Sequence, residues 1–132
     1  MSKYGDYRAI KTSEGVLKAG ESLSQHDLVF INTTPTPDTI DQTTGNQVEA
    51  IGVVFDEYDE GDEVAVKLVG PVTMRASEEI EVGDKLIPAA DGKVAVDDGT
   101  ASDIVIGVAE TYASGDGALF EGNLAAHKIA NA

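Results

Sequence analysis

The side chains of this chain best equipped for chemistry are two histidines, His26 and His127, and a large set of carboxylates. Ser24, His26 and Asp27 have the types of a nucleophile, a base and an orienting acid. A working triad, however, gathers its members from separate elements, and near neighbours in one turn cannot supply that geometry. His127 lies about a hundred residues away in an Ala-rich segment with no nucleophile beside it. The acidic run Asp56-Glu57-Tyr58-Asp59-Glu60-Gly61-Asp62-Glu63 offers the oxygens that Ca²⁺ takes. It lacks the spacing of an EF-hand loop, with glycine sixth and a closing Glu twelfth, and reads as a solvated turn between strands. Asp97-Asp98-Gly99 reads as a turn in the same way. Gly61-Asp62 and Gly115-Asp116 have neither the Lys nor the following helix of a phosphate loop. With no cysteine in the chain, thiolate catalysis, disulfides and Cys-ligated metals are excluded. The expectation is therefore no enzyme, no cofactor and no metal site.

The elements that would position these residues repeat. Ile51-Gly52-Val53, followed by Gly61-Asp62 and Val64-Ala65-Val66-Lys67-Leu68, is echoed by Ile106-Gly107-Val108, Gly115-Asp116 and Ala118-Leu119-Phe120. Upstream, Leu17-Lys18-Ala19-Gly20-Glu21-Ser22-Leu23 parallels Ile80-Glu81-Val82-Gly83-Asp84-Lys85-Leu86. The pattern predicts one β unit used twice, the first copy carrying the longer internal loop.

Strand signals dominate the rest. Val16–Leu17 and Asp27–Asn32 are short β-rich runs around a turn at Gly20, and Gln47–Phe55 is a strand with a bulge or close backbone approach at Gly52. Glu63–Val69 alternates, with Val64, Val66 and Leu68 on one face. Gly70-Pro71 interrupts it before Val72–Ala76, and Ser77–Ile80 reads as a single helical turn capped by Ser77. Lys85–Ala89 and Gly92–Val96 form a hairpin with Gly92 at positive φ, and Asp103–Glu110 and Ala118–Leu124 complete the second unit. Residues 33–46, rich in Thr, Pro, Asp and Gly, read as a long exposed loop with one short pairing around Ile40. The expected fold is all-β: a small barrel or sandwich of β-tulip type, with an internal pseudo-repeat and at most short helical turns. Its divisions are an N-terminal arm (1–15), a β-rich body (16–124) and a C-terminal tail (125–132).

The chain has 132 residues, 5% aromatics and no Trp, so one domain with an aliphatic core is expected. No apolar run approaches a membrane span and Met1–Asp6 has no leader-like stretch, which reads as a chain soluble as made, with no membrane partner. The net charge of −15 argues against nucleic acid, whose binding rests on cationic side chains. Residues 1–18 carry four bases against two acids, whereas 19–132 carry five bases against 22 acids. Such asymmetry marks the first segment as a docking arm. A body this acidic also suits high salt, where screening removes self-repulsion, so a halophilic or marine source is expected.

The run from Gly61 to Val72 is followed by Ala76-Ser77, Ile80-Glu81-Val82-Gly83-Asp84-Lys85-Leu86, Ala90-Asp91-Gly92-Lys93-Val94 and Ile106-Gly107-Val108-Ala109. Together these resemble the capsid cement, or head decoration, proteins of tailed phages, over about residues 50 to 120. The resemblance implies a β-rich module functionally akin to the lambda head-decoration protein. Such a module is made in the host cytoplasm and binds the outer surface of an expanded icosahedral head, commonly as a trimer, bridging major capsid protein subunits to stabilise the shell. The Thr/Pro loop and the tail fall outside the matched part. The alternative class is an acidic cell-surface or extracellular β module that binds calcium or glycan.

For capsid binding, Lys3, Tyr4, Tyr7, Arg8, Ile10 and Lys11 are the expected contacts: aromatic and aliphatic anchors, backbone strand addition, and cations that meet an acidic shell. Val69, Val72 and Met74 are the expected apolar face for self-association.

Overall fold

The computed structural model describes the backbone at residues 7–9, 11–12 and 15–16, and backbone with side chains at 17–33, 38–46 and 48–131. Its strands are β1 (Tyr7–Ala9), β2 (Lys11–Thr12), β3 (Gly15–Val16), β4 (Lys18–Ala19), β5 (Leu28–Asn32), β6 (Thr39–Gln42), β7 (Ala50–Val54), β8 (Ala65–Lys67), β9 (Gly70–Arg75), β10 (Lys85–Pro88), β11 (Val94–Val96), β12 (Ile104–Ala109) and β13 (Leu119–Ala130). Two curled half-barrel sheets result, in the orders β1-β8-β7-β5-β6-β4 and β11-β10-β12-β13-β9, beside the small β2–β3 hairpin. The expected all-β, barrel-like class is the class observed, and among the described residues there is no helix.

Reading the second sheet from its other edge, β9-β13-β12-β10-β11 reproduces β1-β8-β7-β5-β6. The duplication is therefore structural, and its hydrogen bonds match. Leu23 and Tyr58 exchange backbone bonds of 2.8 and 3.0 Å, as Ile80 and Ala113 do at 3.0 and 2.9 Å. The His26 N–H donates to Val54 O and the Val54 N–H to Asp27 O; the Gly83 N–H donates to Ala109 O and the Ala109 N–H to Asp84 O. Asp27 Oδ2 accepts from Ser24 N at 2.8 Å, and Asp84 Oδ2 from Glu81 N at 2.8 Å. This pairing corrects the upstream half of the repeat read from sequence. Ala19 corresponds to Ala76 and His26 to Gly83, so Gly83 has its counterpart in His26, not Gly20. Downstream, Gly61 and Gly117 both donate to the corresponding alanine carbonyls, of Ala19 and Ala76, at φ 91° and 86°. Gly117, and not Gly115, is thus the structural counterpart of Gly61.

Gly52 and Gly107 occupy equivalent points in β7 and β12, each where the strand register slips at a bulge. A Cβ on Gly52 would collide with the Lys67 backbone carbonyl, and one on Gly107 with that of Asn123. Only glycine permits so close an approach of neighbouring strands.

Two aliphatic clusters fill the fold. Leu17, Leu23, Val29, Ile40, Val54, Val64 and Val66 form one, wholly within the first unit. Leu28, Ala50 and Val53 cross over to pack with Met74, Ile80, Leu86, Ile106, Phe120 and Leu124 in the other. Each fully buried aliphatic side chain contributes about 1.5–3 kcal/mol, so the shared cluster binds the units into one body.

The short pairing expected around Ile40 is present: β6 pairs with β5 in antiparallel register, Ile31 opposite Ile40, and Ile40 buries completely in the first core. Three other local expectations change. Ser77–Ile80 is a bend, held by bridges of Ala76 to Val94 and Ile80 to Ala113, and the Ser77 hydroxyl donates to Val94 O at 3.0 Å. The break expected at Gly70-Pro71 falls just before it, at Leu68-Val69, between β8 of one sheet and β9 of the other; Gly70-Pro71 itself opens β9, the outer strand of its sheet, where a residue without N–H is tolerated. The segment from Ala125 to Ala130 continues β13, which pairs with both β9 and β12. The hairpin glycine is as expected: Asp91 and Gly92 have φ of 61° and 71°.

Candidate interaction surfaces

Ser24, His26 and Asp27 form a tight turn in which the acid serves the backbone and the other repeat. Asp27 is 1% exposed; its Oδ2 accepts from Ser24 N and from Gln42 Nε2 at 2.7 Å, and its Oδ1 from Arg75 Nη1 at 3.2 Å. The Arg75 guanidinium also donates to Gln25 O at 3.1 Å. His26 stands at φ 78°, a backbone region that side chains rarely adopt. Burial, and then the Arg75 charge, lower its pKa from 6.5, against the opposing influence of Glu121 and Asp27. His127 is exposed on β13, in a shallow outer groove with Val105, Val108 and Ile129. Neither imidazole is placed against a serine nucleophile by any described hydrogen bond.

Of the cationic N-terminal segment, Tyr7 and Arg8 lie in β1, opposite Lys67 and Val66, and Lys11 lies in β2, opposite Val16. Lys3, Tyr4 and Ile10 lie outside the described residues. β1 is the edge of the first sheet, the position that β9 takes in the second, so the described part of the arm joins the body as strand. Of the three residues expected to mediate self-association, Met74 is 1% and Val72 6% exposed, both inside the shared core, because β9 turns that face inward. Val69, at 36%, reaches the surface.

Val69 borders an apolar trough that alternation along single strands does not reveal. Ile31, Ile51 and Leu68 from the first unit line it opposite Ala126 and Lys128 of β13. Lys128 Nζ donates to Leu68 O at 3.2 Å and Ala125 O at 3.0 Å, and burial lowers its pKa. The lysine stem closes one end of the trough while its ammonium is held by carbonyls.

The acidic turns differ. In the 56–63 run, Asp56 Oδ1 accepts from Glu57 N and Asp62 Oδ2 from Asp59 N, both at 2.8 Å, so those carboxylates shape their own turn. In the loop from β11 to β12, Asp97, Asp98 and Asp103 each bring a carboxylate oxygen within 4.8 Å of the others. Asp97 Oδ1 accepts from Gly99 N at 2.9 Å and Asn131 Nδ2 at 2.9 Å; Asp98 Oδ1 accepts from Thr100 N at 3.0 Å and Thr100 Oγ1 at 2.6 Å. The Thr100 bonds lower the Asp98 pKa. Sequence reasoning read only the first two of these acids, as a turn. Asp103 gave no signal, because its approach depends on the chain reversing at Gly99 and Ser102, at φ 85° and 71°.

A family model described as phage cement protein matches residues 9–124. No curated protein matches the chain. Among solved structures, the N base of the head fiber gp8.5 of bacteriophage phi29 superimposes with a TM-score of 0.68 at 22% identity, over 86% of this chain and 93% of that one. At that identity the likeness is one of fold.

Proposed function

Because the chain belongs to the phage cement protein family, and is thereby a capsid-associated virion protein, we propose that it decorates the outer surface of an expanded icosahedral head and stabilises it by bridging major capsid protein subunits. The observation that carries this reading is the extent of the family match, residues 9–124, which takes in nearly all of both β units. Bridging several subunits gives avidity without strong individual contacts, which suits a body of 132 residues in the proposed role.

The contacts are divided by charge. Lys3, Arg8 and Lys11, with Tyr4, Tyr7 and Ile10, dock on the shell, while the acidic body faces outward. The copies associate as trimers on the lattice, with the trough beside Val69 as the face between them. The acidic body fits a virion exposed to high salt.

Purified expanded and unexpanded heads, mixed with the protein and sedimented, test the assignment. Full-length protein should pellet with expanded heads only. Deletion of residues 2–6, which spares β1, should reduce occupancy by about tenfold, and deletion of 2–11 should abolish it with the β spectrum retained. Undiminished occupancy after the longer deletion overturns the arm's role; failure of the full-length protein to bind expanded heads overturns decoration.

A further inference from the structure

We infer that Asp97, Asp98 and Asp103 form a Ca²⁺ site that fastens the β11–β12 loop to the end of β13. Two observations carry this independently. Three carboxylate oxygens lie within 4.8 Å of one another. Beside them, Asp103 is 1% exposed and its Oδ1 has no hydrogen-bond partner. A buried carboxylate oxygen without a donor is costly to leave unmet, and clustered carboxylates repel one another. The two side-chain ion pairs that the structure describes, Arg75 with Asp27 and Lys93 with Asp116, lie elsewhere. A cation between the three acids meets both needs at once.

The donor set selects the ion. All three ligands are hard oxygens, with no imidazole or thiolate, which favours Ca²⁺ over zinc or copper. Oxygens bound to one Ca²⁺ at about 2.4 Å stand no more than about 4.8 Å apart, a spacing the three acids meet, whereas Mg²⁺ asks for a stricter octahedron and gives up its waters reluctantly. The described hydrogen bonds occupy Oδ1 of Asp97 and of Asp98, orienting both carboxylates around the loop.

The site's place in the fold gives it a role. Ser102 N donates to Asn131 O at 3.0 Å, Asn131 N to Asp103 O at 2.9 Å, and Asn131 Nδ2 to Thr100 O at 3.1 Å as well as to Asp97. An ion held by the three acids locks the loop that grips Asn131, and with it the last pairs of β13 against β12. Binding to the folded state alone then raises stability by mass action. A site with only three carboxylate ligands has an affinity on the order of 10⁻⁴–10⁻³ M, the range of extracellular calcium modules.

The test uses the full-length chain freed of metal by chelator, with CaCl₂ as the probe, read by calorimetry and by thermal melting. One saturable site and a rise in melting temperature of a few degrees are expected, with a response to MgCl₂ at least tenfold weaker. Asp103→Asn should abolish the heat while the metal-free protein melts no lower, since it removes a buried unpaired charge. Asp98→Asn, at an exposed position that the fold does not need, should weaken binding about tenfold and decides the matter should Asp103→Asn not fold. Asp59→Asn with Glu60→Gln, in the other acidic run, should change nothing. No saturable heat up to about 10 mM Ca²⁺, or affinity that survives both Asp103→Asn and Asp98→Asn, overturns the site. The inference rests on this loop alone, so its failure leaves the decoration reading intact.

Discussion

Arg75 Nη1 stands 3.2 Å from Asp27 Oδ1, and this ion pair joins the end of β9 in the second unit to the first turn of the first. Asp27 is 1% exposed and the arginine side chain 25%, so the acid is desolvated and the base only partly so. Arg75→Met leaves a buried carboxylate with two neutral donors and should cost about 3 kcal/mol in urea denaturation. The double variant with Asp27→Asn should cost less than the sum of the single changes, because the charges leave together. Additive costs would show that the pair is not coupled.

The two bulge glycines should behave alike. Gly52→Ala and Gly107→Ala each drive a methyl group into a backbone carbonyl, which cannot turn aside as a side-chain tip can. Each should destabilise the protein by about 3 kcal/mol. Gly45→Ala, with nothing within 4 Å, should stay within about 0.5 kcal/mol. A tolerated Gly107→Ala would contradict the strand spacing described.

His26 occupies the position that glycine holds in the other repeat. His26→Gly should therefore stabilise the protein by about 1 kcal/mol, by releasing a left-handed residue from its steric cost. A loss of stability would mean that the imidazole's packing outweighs the strain.

The same residue sets a pH dependence. Its folded-state pKa lies below 6.5, so the unfolded chain takes up a proton that the folded chain resists. Stability is fully present above about 6.5 and declines as pH falls from there to the folded-state value. Melts of the wild type and of His26→Gln should separate across that window, the wild type losing more as the medium is acidified. Parallel curves would remove His26 from the account.

With nine bases against 24 acids, the folded chain repels itself at low ionic strength. Its melting temperature should climb steeply between about 0.1 and about 2 M KCl as the Debye length shrinks from ~10 Å to below ~3 Å. A flat response would end the halophilic reading.

What the sequence made legible was backbone constraint written in residue type. Gly52 stands out because it is surrounded by strand formers, Gly107 because it repeats the Ile-Gly-Val of Gly52, and Gly92 because it follows an Asp at a hairpin tip. His26 hid the equivalence with Gly83, since a non-glycine residue at positive φ carries no sequence mark. Ile40 marked its own short pairing as the lone large aliphatic among Thr and Asp, but one buried residue in a polar hairpin makes no periodicity to give the strand its bounds. Lys128 and Ile129 looked like a tail because β13 gains its partners from β12 and β9, not from its own alternation. Asp103 joined Asp97 and Asp98 only through the fold of a loop. The trough beside Val69 is likewise a product of two units meeting, which no single strand encodes.

Pro71 gives the second sheet's margin a property of its own. β9 is an outer strand, and an outer strand with every amide intact is a template on which another chain can grow. Pro71 removes one amide from that margin, and at the opposite margin β11 is only three residues long. Copies crowded side by side are thus steered away from fibre growth through their sheet edges, leaving side-chain surfaces as the route by which neighbours meet.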